Sequence, residues 1–166
     1  MKNQNFLNKL KRERKIELVE PSEEMKLSYL QKAENCLKSA RILFKNQLYE
    51  NSVSEAYYCI YNSLLSFLFK VGIKSENHSA SIFLFDELFD EKELVKIALS
   101  AKEERIDKQY YVESQQIVKV NQDSCAKMIS NAEDFLIRMK VLIGEINNDD
   151  VIRIRNSFEK LFELDF

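Results

Sequence analysis

Two glycines and one proline among 166 residues constrain this chain more than any other feature. Tight hairpins draw on Gly, Asn-Gly and Pro steps, so a sheet-rich fold with many turns lacks the material it needs. The length suits one domain and is enough to bury a real core. The apolar residues then fall at the helical period. Leu30, Ala33, Leu37, Ala40 and Phe44 alternate in steps of three and four, which predicts one apolar stripe on a helix over about 22–46. Ser22 precedes it as a cap, and Glu23 and Glu24 sit where the helix dipole favours negative charge.

A second helix follows over about 50–71, with two apolar stripes. One holds Val53, Ala56 or Tyr57, Ile60, Leu64, Phe67 and Val71, and the other Tyr58, Tyr61, Leu65 and Leu68. A helix apolar on two sides is either central or packed against its own bundle and a partner subunit. Gly72 suits the left-handed residue that ends such a helix. Residues 73–77 read as a polar loop and 112–120 as extended or irregular. Further helices are expected over about 78–89, 91–109, 122–146 and 151–163. Short connections make long neighbours antiparallel. The expected fold is all-α, an up-and-down antiparallel bundle of about five to six helices. Its parts are a basic N-terminal extension over 1–20, a bundle over 21–147 and a C-terminal helix over 148–166.

The net charge is -2, so the molecule as a whole has no strong field for nucleic acid. Residues 1–15, however, carry Lys2, Lys9, Lys11, Arg12, Arg14 and Lys15 against Glu13 alone. Such a segment is either an arm that contacts phosphates or a solvated, partly helical extension. Few anchors predict that it is mobile, unless Phe6, Leu7 and Leu10 fold back over the second stripe. Cys36, Cys59 and Cys125 are far apart and set among apolar residues, which suits reduced core thiols in the cytoplasm and gives no zinc site. The most apolar run, Ala56 to Val71, is broken by Asn62, Ser63, Ser66 and Lys70 and is too short for a membrane span. With no Gly-rich phosphate loop, no Ser-His-Asp set and no paired metal ligands, neither a metal nor a cofactor is expected.

One constellation stands out. Glu55-Ala56-Tyr57-Tyr58-Cys59-Ile60-Tyr61-Asn62 is followed by Phe69-Lys70-Val71-Gly72-Ile73, then by Asn77-His78-Ser79 and the stretch Arg105 to Tyr111. Over roughly 22–146 this resembles a HEPN domain. The resemblance implies a helical bundle that pairs as a homodimer, partnered with a small nucleotidyltransferase in a toxin–antitoxin or defence pair. Many members are metal-independent ribonucleases. Their motif is an Arg followed, after four to six residues, by a His, with two copies meeting across the dimer. Here Arg105 is in place, but Tyr110 stands after four intervening residues. A phenol with a pKa near ~10 is a poor proton shuttle at neutral pH.

The candidate site residues follow. Arg105 can hold a phosphate bidentately, or belong to a solvated face in which Glu104 pairs with Lys108. Tyr110 and Tyr111 can stack on bases or donate to a phosphate, or one can pack at the helix end. The resemblance makes Tyr111 the nearest match to a tyrosine that a partner nucleotidyltransferase modifies. His78, the single histidine, can act as a neutral base or anion ligand at a helix N-terminus, or simply cap a turn. Asn77 shares its loop. The expected binding set is therefore Arg105, Lys108, Tyr110, Tyr111 and Asn77, and the expected catalytic set Arg105, His78 and Tyr110. Tyr57, Tyr58 and Tyr61 read as packing or dimer contacts. Three readings stay open: an RNA- or nucleotide-binding dimer with an incomplete ribonuclease motif, an active ribonuclease with a rearranged site, and a non-catalytic interaction module.

Overall fold

The computed structural model describes residues 2–110 and 120–162. Over these residues the order is α1 (Lys2–Arg12), β1 (Ile16–Leu18), α2 (Glu23–Lys45), α3 (Tyr49–Lys70), β2 (Ile73–Ser75), α4 (His78–Leu88), α5 (Lys92–Tyr110), α6 (Gln122–Glu145) and α7 (Asn148–Lys160). The described residues are all-α apart from one small ribbon. In that ribbon β1 pairs antiparallel with β2, Ile16 opposite Ser75 and Leu18 opposite Ile73.

The helix starts follow from side-chain caps. Ser22 accepts from the Met25 amide at 3.1 Å, Asn77 from Ala80 at 3.0 Å and Asn121 from Ser124 at 2.8 Å. Each satisfies an amide that the first helical turn leaves without a partner. Asn147 caps α7, and Asp150 completes a reciprocal capping box, so the last helix begins three residues before the expected 151.

Helix α3 is the centre of the bundle. Ser52 donates to the Ala40 carbonyl at 2.7 Å, and Ser66, fourteen residues on, donates to Lys26 at 2.9 Å. Those pairings run in opposite directions, so α2 and α3 are antiparallel. Helix α6 is antiparallel to α2 as well, because Glu34 meets Lys140 while Arg41 meets Glu133. The stripe from Cys125 through Met128, Ala132, Phe135 and Met139 is buried, as its 3-4 spacing requires. The second stripe of α3 needs no partner subunit. Tyr61, Leu65 and Leu68 are buried within one chain, so the expected dimer contact through Tyr58, Tyr61, Leu65 and Leu68 loses its reason.

Of the readings open for the N-terminal stretch, the structure has the anchored one. It is a helix, and Leu7 and Leu10 are 1% and 4% exposed, while Phe6 remains exposed. Alternating charge and leucine over one turn is enough to anchor it. Gly72 sits beneath this corner with φ +73°. The Arg155 guanidinium from α7 donates to the carbonyls of Val19 at 2.6 Å and Gly72 at 3.0 Å. Together they fix the exit of α3 and the course of β2, and hence where α4 begins.

Candidate functional site

Three helices bring one cluster together. Helix α3 supplies Tyr57, Tyr58 and Tyr61. Tyr57 and Tyr61 are four apart and so lie on one face, with their rings parallel and 6.3 Å apart. Helix α4 supplies its first residue, His78, and Ser79. Helix α5 supplies Lys102 and Arg105, three apart and on one face. The start of α4 is held by the Ser75 and Ser81 hydroxyls, 2.8 Å apart, with Ser81 also bonded to the Asn77 carbonyl.

His78 stacks on Tyr61 with centroids 3.7 Å apart, and its Nδ1 is hydrogen-bonded to the Tyr57 hydroxyl. Arg105 donates from Nη2 to the Tyr58 hydroxyl at 2.9 Å. Its guanidinium lies over both rings, 5.1 Å from the Tyr57 centroid and 4.8 Å from that of Tyr58. Both distances suit cation–π attraction. Arg105 Nε is buried with no hydrogen-bond partner among the described residues. Lys102 Nζ donates to Ser79 Oγ. Tyr57 thus bridges Arg105 and His78, which stand 27 positions apart in the chain.

The electrostatics follow from burial and from these cations. Burial lowers the His78 pKa below its usual value, and the charges of Arg105 and Lys102 lower it further. The ring is therefore neutral at pH 7. Burial pushes the Tyr57 phenol up to about 12, against the opposite pull of Arg105, so it keeps its proton. Burial raises Tyr61 too. A neutral imidazole flanked by two cations and by intact phenols is an environment for an anion.

Of the residues expected from sequence, Arg105 and His78 are brought together. Asn77 precedes His78 in the chain, and its side-chain oxygen caps α4. Lys108 and Tyr110 continue α5, with side chains outside the described residues, and Tyr111 lies outside them entirely. The sequence reading missed Tyr57, Tyr58 and Tyr61 as site residues, because tyrosines inside an apolar stripe look like core. It missed Lys102 as well. The available signal was polarity: three phenols within five residues need hydrogen-bond partners once buried. No group of three or more His, Cys, Asp or Glu able to hold a metal occurs among the described residues, and none of their helices is long and apolar enough to cross a membrane.

The model of the HEPN domain family matches residues 27–142, which takes in the whole of α3, α4 and α5. The chain belongs to the HEPN family. It is also similar to a protein of Methanocaldococcus jannaschii that carries the name "Putative toxin". The two are 29% identical over 119 residues, spanning 69% of this chain and 85% of the relative. The matched region of this HEPN protein contains every residue of the cluster, whereas α1, β1 and α7 lie outside it.

Proposed function

We propose that this HEPN protein is a toxin-type member that binds RNA or a nucleotide at the cluster around Arg105, as a homodimer paired with a nucleotidyltransferase. The observation that carries this is the convergence of Arg105, Lys102 and His78 on the tyrosines of α3. Two fixed cations match phosphate oxygens, and a guanidinium can do so bidentately. Tyr58 beside them, which is only partly buried, can stack on a base or ribose. The amide nitrogen of Asn77 adds a donor, and Lys108, Tyr110 and Tyr111 belong to the binding set on the sequence alone. The likeness to a protein named as a toxin supports the toxin–antitoxin setting. The homodimer and the nucleotidyltransferase come from the family resemblance.

The test is binding of short single-stranded RNA and of nucleotides to the wild-type protein and to Arg105→Ala. The variant is expected to lose roughly 1–3 kcal/mol, the scale of a hydrogen bond to a charged group. Equal affinity in the two proteins overturns the assignment.

A second reading has its own observation. His78 lies one phenol away from Arg105, so two of the three residues of a ribonuclease site rearranged around Arg105, His78 and Tyr110 are within reach of each other. In that reading purified protein degrades total RNA and His78→Ala does not. No degradation by the wild type retires it.

A further inference from the structure

We infer that Tyr57 is a positioning residue that locks His78 as the neutral tautomer with its proton on Nε2, so that His78 presents a hydrogen-bond donor to the bound phosphate. The inference deepens the binding reading above and rests on it for the ligand. The tautomer itself stands on the cluster alone.

Counting protons fixes the tautomer. Tyr57 is 1% exposed, so its hydroxyl proton needs an acceptor inside the protein. Among the described residues the hydrogen-bond partner of that hydroxyl is His78 Nδ1. The Arg105 guanidinium lies over the Tyr57 ring, 5.1 Å from its centroid, and has donors and no acceptor. The phenol proton therefore goes to Nδ1. An imidazole nitrogen that accepts carries no proton, so in the neutral ring the proton sits on Nε2. The reverse arrangement, with Nδ1–H donating to Tyr57, leaves the buried phenol proton without an acceptor among the described residues. Protonating both nitrogens meets the same obstacle, and the charges of Arg105 and Lys102 oppose it further.

The geometry also fixes where that donor sits. Stacking on Tyr61, 3.7 Å between centroids and 12° between planes, holds the ring plane, and the bond to Tyr57 holds its rotation. Among the described residues Nε2 makes no hydrogen bond. In this state His78 does not take a proton through Nε2. It donates to an oxyanion beside Arg105 and Lys102, which is a binding role, and Tyr57 acts on the ligand only through it.

The single histidine makes the test direct. Labelling histidine with nitrogen-15 gives one imidazole, whose two nitrogens are read by NMR at pH ~8, where the ring is neutral. The expected result is a proton on Nε2 and a bare Nδ1 in the wild type. In Tyr57→Phe, which keeps the ring and removes the hydroxyl, the two tautomers mix and the resonances move toward each other. A proton on Nδ1 in the wild type overturns the inference, and so does a Tyr57→Phe spectrum identical to wild type. The wild-type measurement needs no variant, so a poorly folded Tyr57→Phe does not blunt the test. Adding a short RNA oligonucleotide or adenosine monophosphate is expected to shift the Nε2–H signal. A ligand that shifts other resonances and leaves Nε2–H in place overturns the donor role. A ligand that shifts nothing anywhere overturns the binding reading and leaves the tautomer assignment standing.

Discussion

At the residue scale the central pair is Arg105 and Tyr58. A guanidinium placed over two phenol faces depends on being planar, so lysine is no substitute. Arg105→Lys is expected to bind RNA about as weakly as Arg105→Ala, as a filter-binding or anisotropy titration reads; wild-type affinity would contradict this. His78 gives a prediction in pH. Its folded pKa is lowered by burial and by the two cations, so the unfolded chain binds the proton first as the pH falls. The contribution is fully present above the unfolded value, near ~6.5, and is lost as the pH falls toward and through the lower folded value. Melting temperature should therefore drop across that window in the wild type and drop less in His78→Gln. Identical slopes would show that His78 does not titrate as described. Arg105 and His78 were both legible in the sequence. Their connection through Tyr57 was not, because it depends on how the turn at Gly72 aims α4 back toward α3.

At the scale of elements, the long helices could be read to within a residue or two from stripe and cap. Ser22, Asn121 and Gly72 act as their types suggest. The strands were not legible. Three residues are too few for a period-two pattern to emerge, and β2 depends on pairing with β1, which comes from before α2 in the chain. The N-terminal helix was legible in part, because Leu7 and Leu10 stand three apart while the cations of residues 1–15 suit a mobile arm equally well. Leu7→Ala is expected to cost about 2–5 kcal/mol, the range for a buried leucine. For a chain of this size that is roughly 2–4 °C of melting temperature per kcal/mol. An unchanged melting curve would mean that α1 does not pack as seen. Gly72→Ala is expected to destabilise as well. Positive φ alone costs roughly 1–2 kcal/mol. The new Cβ would also lie 2.1 Å from Arg155 Nη1 and 2.5 Å from the Val19 oxygen. The arginine can swing aside, whereas the backbone oxygen cannot. Adding Arg155→Ala should therefore restore only part of the loss; full recovery would place the strain in the side chain alone.

For the whole molecule, a net charge of -2 leaves binding to local cations. With Lys102 and Arg105 as the phosphate contacts, the logarithm of RNA affinity should fall with the logarithm of salt at a slope on the order of -1 to -2. A slope of several units would bring the lysines and arginines of α1 into the contact. The account rests on Arg105 as the anion-binding residue of the cluster. The most direct test is a titration of fluorescently labelled single-stranded RNA with wild-type protein and Arg105→Ala, matched by melting curves. The account predicts affinity lower by roughly 5- to 150-fold in the variant, equivalent to about 1–3 kcal/mol, with the fold retained. Equal affinity in two folded proteins would contradict it.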